Sequence, residues 1–297
     1  MTARYRNTEP STSELRHDWL CDRWVIIAPQ RTERPDDFAP VSEPIQVCAQ
    51  SQVHCPFCCG HEDETPPALA VYPSGSRPEA LSTWLVRVVP NKFPAVNGVQ
   101  TLKFATLAEV EGVSCGLSSA AESSSDSEPS CQPTIDLFQA RQITGAHEVI
   151  IESPLHLCSL TELDRETTTM IFRAYRDRLL YWSNCPDIAY AVVFKNVGLD
   201  AGASLVHTHS QLIATNILPT DVGRSVQRME LFEKTEHACL FCRMLADELE
   251  ERVRIVAETT DYVAFCPFAS RLPSLVTVVP RKHHSAFETT SDESVEE

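Results

Sequence analysis

His207-Thr208-His209-Ser210-Gln211 is the stretch on which the reading of this chain turns. In a β-strand, residues i, i+2 and i+4 project from one face. Read as a strand, the segment sets two imidazoles and an amide side by side. Tyr190-Ala-Val-Val-Phe194 upstream reads as an apolar strand, and Leu212 and Ile213 continue apolar downstream. A strand that spends one face on polar groups gives up core surface, so the pattern points to a site rather than to packing.

Around this segment the chain alternates strand and loop signals. Arg23-Trp-Val-Ile-Ile-Ala28 and Trp84-Leu-Val-Arg-Val-Val89 read as strands, the second stopped by Pro90. His147-Glu-Val-Ile-Ile-Glu152 is a third, ending at Ser153-Pro-Leu-His156. Ser159 and Glu162 form a capping box that predicts a helix running to about Trp182. Residues 1–15 are polar and read as a loose N-terminus, and residues 111–133 are Ser-rich and acidic, the composition of a mobile insert or long loop.

The order then starts again. Cys239-Leu-Phe-Cys242 echoes Cys55-Pro-Phe-Cys58, and Tyr262–Pro267 echoes Leu85–Pro90. Leu275–Pro280 with His283 echoes Val149–Pro154 with His156. This predicts an α+β fold of two related units, residues 1–220 and 221–297, the second incomplete and without its own His-x-His segment.

Charge and cysteine use narrow the function. The 297 residues carry a formal net charge of -16, which argues against a nucleic-acid binder. Five acids and no base lie in Glu288–Glu297, and Phe104–Ala140 has no Lys or Arg. A local basic pocket for phosphate remains compatible with this, with Arg31, Arg34, Arg87, Lys92 and Lys195 as candidate counter-charges and the loop residues Arg31 and Arg34 foremost. The N-terminus has no apolar signal-peptide core, and no run suits a membrane span, so a cytoplasmic protein is expected. In that compartment twelve cysteines do not read as a disulfide framework.

Three readings compete for Cys55 and Cys58. With His156 and His207 they would complete a tetrahedral zinc set. A redox pair would want a helix N-terminus in a thioredoxin-like setting, which Pro56, Pro66 and Pro67 do not suggest. Plain buried cysteines are the third. Cys239 and Cys242 pair similarly with His283 or His284, with His237 as a further ligand, or form an unoccupied site. His209 is better placed as a nucleophile than as a ligand of the same zinc: histidine attacks phosphorus at neutral pH if one ring nitrogen is free and the other donates a hydrogen bond. Gln211 on the same face can donate to a phosphoryl oxygen. Gly198, Gly202 and Ser204 suit close approach of backbone to phosphate. For each group the plain alternative is a satisfied core histidine or an ordinary loop.

Taken together the motifs resemble the galactose-1-phosphate uridylyltransferases, a branch of the histidine triad superfamily. Asp22-Arg-Trp-Val-Ile, Pro29-Gln-Arg31-Thr-Glu-Arg34-Pro, Cys55-Pro-Phe-Cys58, Val89-Pro-Asn91-Lys-Phe93-Pro, Ser153-Pro-Leu-His156, Phe194-Lys-Asn196 and His207-Thr-His209-Ser-Gln211 carry the resemblance, in that order. The chain is also similar to plant-type ADP-glucose phosphorylases. The resemblance implies two histidine-triad-like repeats around an antiparallel sheet, usually in a homodimer. It implies a nucleotide sugar (UDP-glucose or ADP-glucose) as donor. The first reading is nucleotidyl transfer of the UDP-glucose–hexose-1-phosphate uridylyltransferase type, with hexose 1-phosphate as acceptor, and the alternative is an ADP-glucose phosphorylase with phosphate as acceptor. His209 would carry the nucleotidyl group. Cys55, Cys58, His156 and His207 would hold structural zinc, and Cys239, Cys242 and His283 a second metal. Asn196, Ser204 and Gln211 would contact phosphoryl groups, and Arg31, Arg34, Asn91 and Phe93 would line the nucleotide site. Thr208 stands where many uridylyltransferases have proline, which implies more backbone freedom there. The family's C-terminal part is missing, so a non-catalytic zinc-stabilised nucleotide-binding protein is the third reading.

Overall fold

The structure is a computed structural model that describes residues 13–28, 54–74, 82–96, 143–198 and 200–297. Arg31, Arg34 and the 111–133 insert lie outside the described residues. The architecture is α+β with antiparallel sheets. A hairpin pairs β1 (Glu14–Asp18) with β2 (Arg23–Ile27). Glu14 and Leu15, expected in the loose N-terminus, instead start this hairpin, where Leu15 pairs with Ile26.

The main sheet has five strands: β3 (Ala70–Pro73), β4 (Trp84–Pro90), β5 (Gly145–Ile151), β6 (Tyr190–Phe194) and β7 (His209–Thr215). Their order is β3-β4-β5-β7-β6, antiparallel throughout. β5 is central and buried along its full length, which is why it reads as an apolar run rather than an alternation. It also starts at a position only glycine fits: a Cβ on Gly145 would fall 1.9 Å from the Ala214 carbonyl oxygen.

Helix α1 (Arg165–Ser183) covers one face of this sheet. Ile171, Ala174 and Trp182 of α1 pack on Val86, Val88, Ile150 and Leu212. The capping box at Ser159 and Glu162 is present, but it caps a single 3-10 turn, Leu160–Glu162. The long helix opens separately, with Asp164 accepting from the Thr167 amide. The opposite face is covered by the Cys55–Cys58 loop: Phe57, Cys59 and Ala68 pack on Trp84, Val89, Val149 and Ile151.

The rest of the chain forms α2 (Thr220–Glu236), α3 (Leu240–Glu251) and a second sheet of β8 (Ile255–Glu258), β9 (Tyr262–Phe265) and β10 (Thr277–Pro280), order β10-β9-β8. Leu245 of α3 packs on Val263, Phe265 and Val279. The acidic tail ends in a short helix, α4 (Asp292–Glu296), ion-paired to α1: Arg176 meets Asp292 at 2.5 Å and Arg173 meets Glu296 at 2.6 Å. Among the described residues no helix is long and apolar enough to cross a membrane.

One buried ion pair joins α1 to β5. The Arg178 guanidinium grips Glu148 through Nε at 2.8 Å and Nη2 at 2.5 Å, and Trp182 Nε1 donates to the same carboxylate at 2.9 Å. Both charges are fully buried, so removing one strands the other. Arg178→Leu is expected to cost about 3–5 kcal/mol. At about 2–4 °C per kcal/mol for a chain of this size, thermal unfolding should show a melting temperature lower by about 10 °C.

Candidate active site

The five residues 207–211 divide between the two faces of the sheet as a period of two requires. His209 lies opposite Ile151, and Gln211 lies opposite Val149, so both share the face of the Cys55–Cys58 loop. Ser210 lies opposite Ile150 and faces α1. β7 itself begins at His209, and His207 and Thr208 are the last residues of the loop leading into it. The Phe57 ring stands edge-on to both imidazoles, at 5.9 Å from His207 and 5.4 Å from His209.

Cys55, Cys58, His156 and His207 converge, with one donor atom of each within 4.8 Å of all the others. His207 Nδ1 lies 3.5 Å from Cys55 Sγ and 3.6 Å from Cys58 Sγ, and His156 Nδ1 lies 3.5 Å from Cys58 Sγ. Zinc bonds of about 2.3 Å to sulfur and about 2.0–2.1 Å to nitrogen, set tetrahedrally, put S and N about 3.5–3.6 Å apart. The donor set therefore fits a tetrahedral zinc ion. His207 Nε2–H donates to the Ser153 carbonyl at 2.9 Å, which turns the Nδ1 lone pair toward the sulfurs. Burial, with a smaller push from neighbouring His156 and His209, lowers the His207 pKa to about 4 and keeps the ring neutral, as a metal ligand must be. Burial and the neighbouring thiols push Cys58 up to about 12, so without a cation it is a thiol, and a bound cation would displace that proton.

His209 is 8% exposed, and its Nδ1–H donates to the His207 carbonyl at 2.7 Å. That bond fixes the tautomer and leaves the Nε2 lone pair free. Gln211 has a partner that the strand pattern alone did not single out. The Ala95 amide donates to His147 Nδ1 at 3.1 Å, so His147 carries its proton on Nε2 and donates it to Gln211 Oε1 at 2.8 Å. The Gln211 amide is thereby oriented with its NH2 left to donate. Asn91 lies beside this pair: its Nδ2 is 3.1 Å from His147 Nε2, whose proton already goes to Gln211, and its Oδ1 accepts from the Phe93 amide at 2.8 Å. Phe93 is 83% exposed beside it.

The even positions face a buried carboxylate, Glu152. Its Oε1 accepts from Tyr175 at 2.7 Å and Ser210 at 2.5 Å, and its Oε2 accepts from Thr208 at 2.6 Å and Lys195 at 2.5 Å. Burial alone would raise its pKa, but the Lys195 ammonium and the hydrogen bonds from Lys195, Ser210 and Thr208 outweigh it and hold the carboxyl below its usual range. Lys195 is thus an internal partner rather than a phosphate counter-charge. Arg87 is likewise buried, donating to Thr65 at 3.0 Å and lying over the Trp84 ring. Thr208 does not have the backbone freedom its substitution for proline implied. Its amide donates to Leu157 at 2.6 Å and its carbonyl accepts from Glu152 at 3.3 Å.

The loop from β6 to β7 turns on two glycines with positive φ, Gly198 at 84° and Gly202 at 79°. It is closed by a bond from the Ala203 amide to the Gly198 carbonyl at 3.1 Å. Gly202 and Ser204 are exposed in this loop, and Asn196 is half-buried just after β6. A second Cys–His group comprises Cys239, Cys242 and His283, with Cys242 Sγ 3.2 Å from His283 Nδ1. His237, at the end of α2, and His284, near Thr289 at 3.1 Å, are not part of it. His54, His61 and Glu64 also cluster, but on the surface, with His54 Nε2 2.9 Å from a Glu64 carboxylate oxygen.

Residues 116–219 match the family described as galactose-1-phosphate uridyl transferase, N-terminal domain. The ADP-glucose phosphorylase of Arabidopsis thaliana is 31% identical over 288 residues, 96% of this chain and 71% of that protein. A galactose-1-phosphate uridylyltransferase of Thermotoga maritima is 29% identical over 160 residues, 54% of this chain and 50% of the relative. Among solved structures, an ADP-glucose phosphorylase from Arabidopsis thaliana with bound ADP-glucose has a TM-score of 0.67 at 27% identity, covering 96% of this chain and 74% of the other. A uridylyltransferase structure has a TM-score of 0.58 at 23% identity, covering 95% and 71%, and supports the fold alone. Sequence identity sustained along nearly the whole chain, on a matching fold, shows that the chain belongs to the galactose-1-phosphate uridylyltransferase family of nucleotidyl-transferring enzymes.

Proposed function

We infer that the chain transfers a nucleotidyl group from a nucleotide sugar through a covalent intermediate on His209. The observation that carries this reading is the bond from His209 Nδ1 to the His207 carbonyl, which leaves Nε2 free to attack. Nε2 adds to the α-phosphorus, and the bond from that phosphorus to the bridging oxygen breaks. The oxygen keeps the electron pair, and hexose 1-phosphate departs. A second phosphate oxygen then attacks the nucleotidyl-histidine, the P–N bond breaks, and its electrons return to Nε2. Both leaving group and acceptor are already anionic, so positioning and electrostatics do most of the work. Gln211, oriented by His147, donates its NH2 to a phosphoryl oxygen where charge builds.

In this reading Arg31, Arg34, Asn91 and Phe93 line the nucleotide, and Asn196, Gly202 and Ser204 approach the phosphates. Cys55, Cys58, His156 and His207 would hold zinc. With all four positions filled by protein, a zinc ion there would supply a structural brace and not a Lewis acid. Cys239, Cys242 and His283 are proposed as a second metal group, and residues 1–220 and 221–297 as two histidine-triad-like halves.

ADP-glucose as donor with inorganic phosphate as acceptor is the first choice of substrates. It is supported by identity to an ADP-glucose phosphorylase across 96% of the chain. UDP-glucose with a hexose 1-phosphate is the second, supported by the family match over residues 116–219.

Intact-mass measurement after incubation with ADP-glucose should show one added adenylyl group, absent in His209→Asn, whose rate falls by about a thousand-fold or more. A wild-type protein that remains unmodified by both ADP-glucose and UDP-glucose would count against the reaction. When the isolated adduct is offered either acceptor, inorganic phosphate should discharge it faster than galactose 1-phosphate. A strong preference for the sugar phosphate would reverse the choice between the two substrate pairs. Elemental analysis should find tightly held zinc that Cys55→Ser loses, with a melting temperature lower by about 10 °C or more.

A further inference from the structure

Beneath β7 the polar side chains gather on one carboxylate, Glu152. Lys195 Nζ has three N–H groups, and all three are spent: on Glu152 Oε2 at 2.5 Å, on Thr208 Oγ1 at 2.8 Å and on the His209 carbonyl at 3.0 Å. Thr208 Oγ1 accepts from Lys195 and donates to Glu152 at 2.6 Å. Ser210 reaches the other oxygen of the same carboxylate. The residues on both sides of His209 are thus tied by side chain to Glu152, and His209 itself is tied by main chain to Lys195. Glu152 is fully buried and Thr208 is 2% exposed, so water does not compete for these bonds.

On the other side of the strand the nucleophile depends on one backbone atom. His209 Nδ1 donates to the carbonyl of His207, which belongs to the 207–208 peptide. The amide of that peptide is Thr208 N, bonded to the Leu157 carbonyl at 2.6 Å. Rotation of this peptide plane would move the acceptor away from Nδ1 and swing the imidazole. Attack on phosphorus needs Nε2 in line with the breaking bond, where small misplacements cost large factors in rate.

We propose that Thr208 is a positioning residue for His209, its hydroxyl locking the 207–208 peptide onto the Glu152–Lys195 pair. The proposal rests on His209 being the nucleophile. It assigns Thr208 no contact with substrate. Its effect is on the rate of attack and not on binding.

Thr208→Val keeps the branched shape and deletes the hydroxyl, whereas Thr208→Ser keeps the hydroxyl. Rapid-quench intact mass, followed against nucleotide-sugar concentration, separates the maximal rate of adduct formation from the half-saturating concentration. Thr208→Val should lower the maximal rate about tenfold and change half-saturation less than about threefold, with zinc content retained. Thr208→Ser should stay within about twofold of wild type. Wild-type rates in Thr208→Val overturn the proposal, as does a serine variant as slow as the valine variant, or a loss confined to half-saturation. If Thr208→Val does not fold, Glu152→Gln/Lys195→Met removes both charges together and should show the same split; an unchanged maximal rate there also overturns it. Amide hydrogen exchange at residues 207–211 gives a readout independent of turnover. It should accelerate in Thr208→Val and return in Thr208→Ser, and unchanged exchange counts against the lock. A wild type that forms no adduct while its variants show the exchange pattern defeats the nucleophile assignment and leaves the lock standing.

Discussion

The pleat of residues 207–211 is the constraint on which the rest depends. Adjacent residues on an extended backbone must face opposite ways. Here each direction has a fixed destination. His207 and His209 meet the Cys55–Cys58 loop, Gln211 on the same face meets His147, and even positions meet Glu152 and α1. A slip of one residue would bury His209 against Tyr175 and aim Thr208 and Ser210 at the cysteines. The register with β5 is therefore secured from both faces, as expected where neither face is left to solvent.

Both layers are built to hold that register. Val88, Ile150 and Leu212 make a continuous apolar contact for α1, anchored by the Arg178–Glu148 pair. Val89, Val149 and Ile151 give the Cys loop its seat, so Phe57 lands against both imidazoles. The site is thus a seam between a covered sheet face and the loop that covers it. The polar groups at this seam are nearly all paired within the protein, and His209 Nε2 and the Gln211 NH2 are the atoms oriented for use.

Much of this was legible in the sequence because it is periodic or modular. The strands at 84–89, 147–152 and 190–194 appear within a residue or two of their predicted limits. The grouping of Cys55, Cys58, His156 and His207 follows from donor chemistry, which needs four ligands whatever their distance along the chain. The capping box is a cap, but of a single turn, because Leu163 in extended backbone ends that turn before Asp164 starts the long helix. His147 and Glu152 were not singled out. Each lies in or beside the same apolar strand, and neither has a motif of its own. Their roles come from register: His147 meets Gln211 across β5 and β7, and Glu152 gathers donors from α1, the loop after β6 and β7. Such partners are set by pairing between distant segments, which residue types alone do not encode. For the same reason Thr208 looked looser than proline, since its restraints lie 56 residues upstream and 13 residues upstream.

The bond that fixes the His209 tautomer ends on a main-chain oxygen. Every residue type offers that oxygen, so no substitution at 207 can delete it. The tautomer of the imidazole is set by the path of the backbone, and it leaves no signature in the alphabet of side chains. A relative could change the side chain at 207 and still turn the same ring nitrogen outward. In this sense the orientation of the imidazole is written into shape rather than composition.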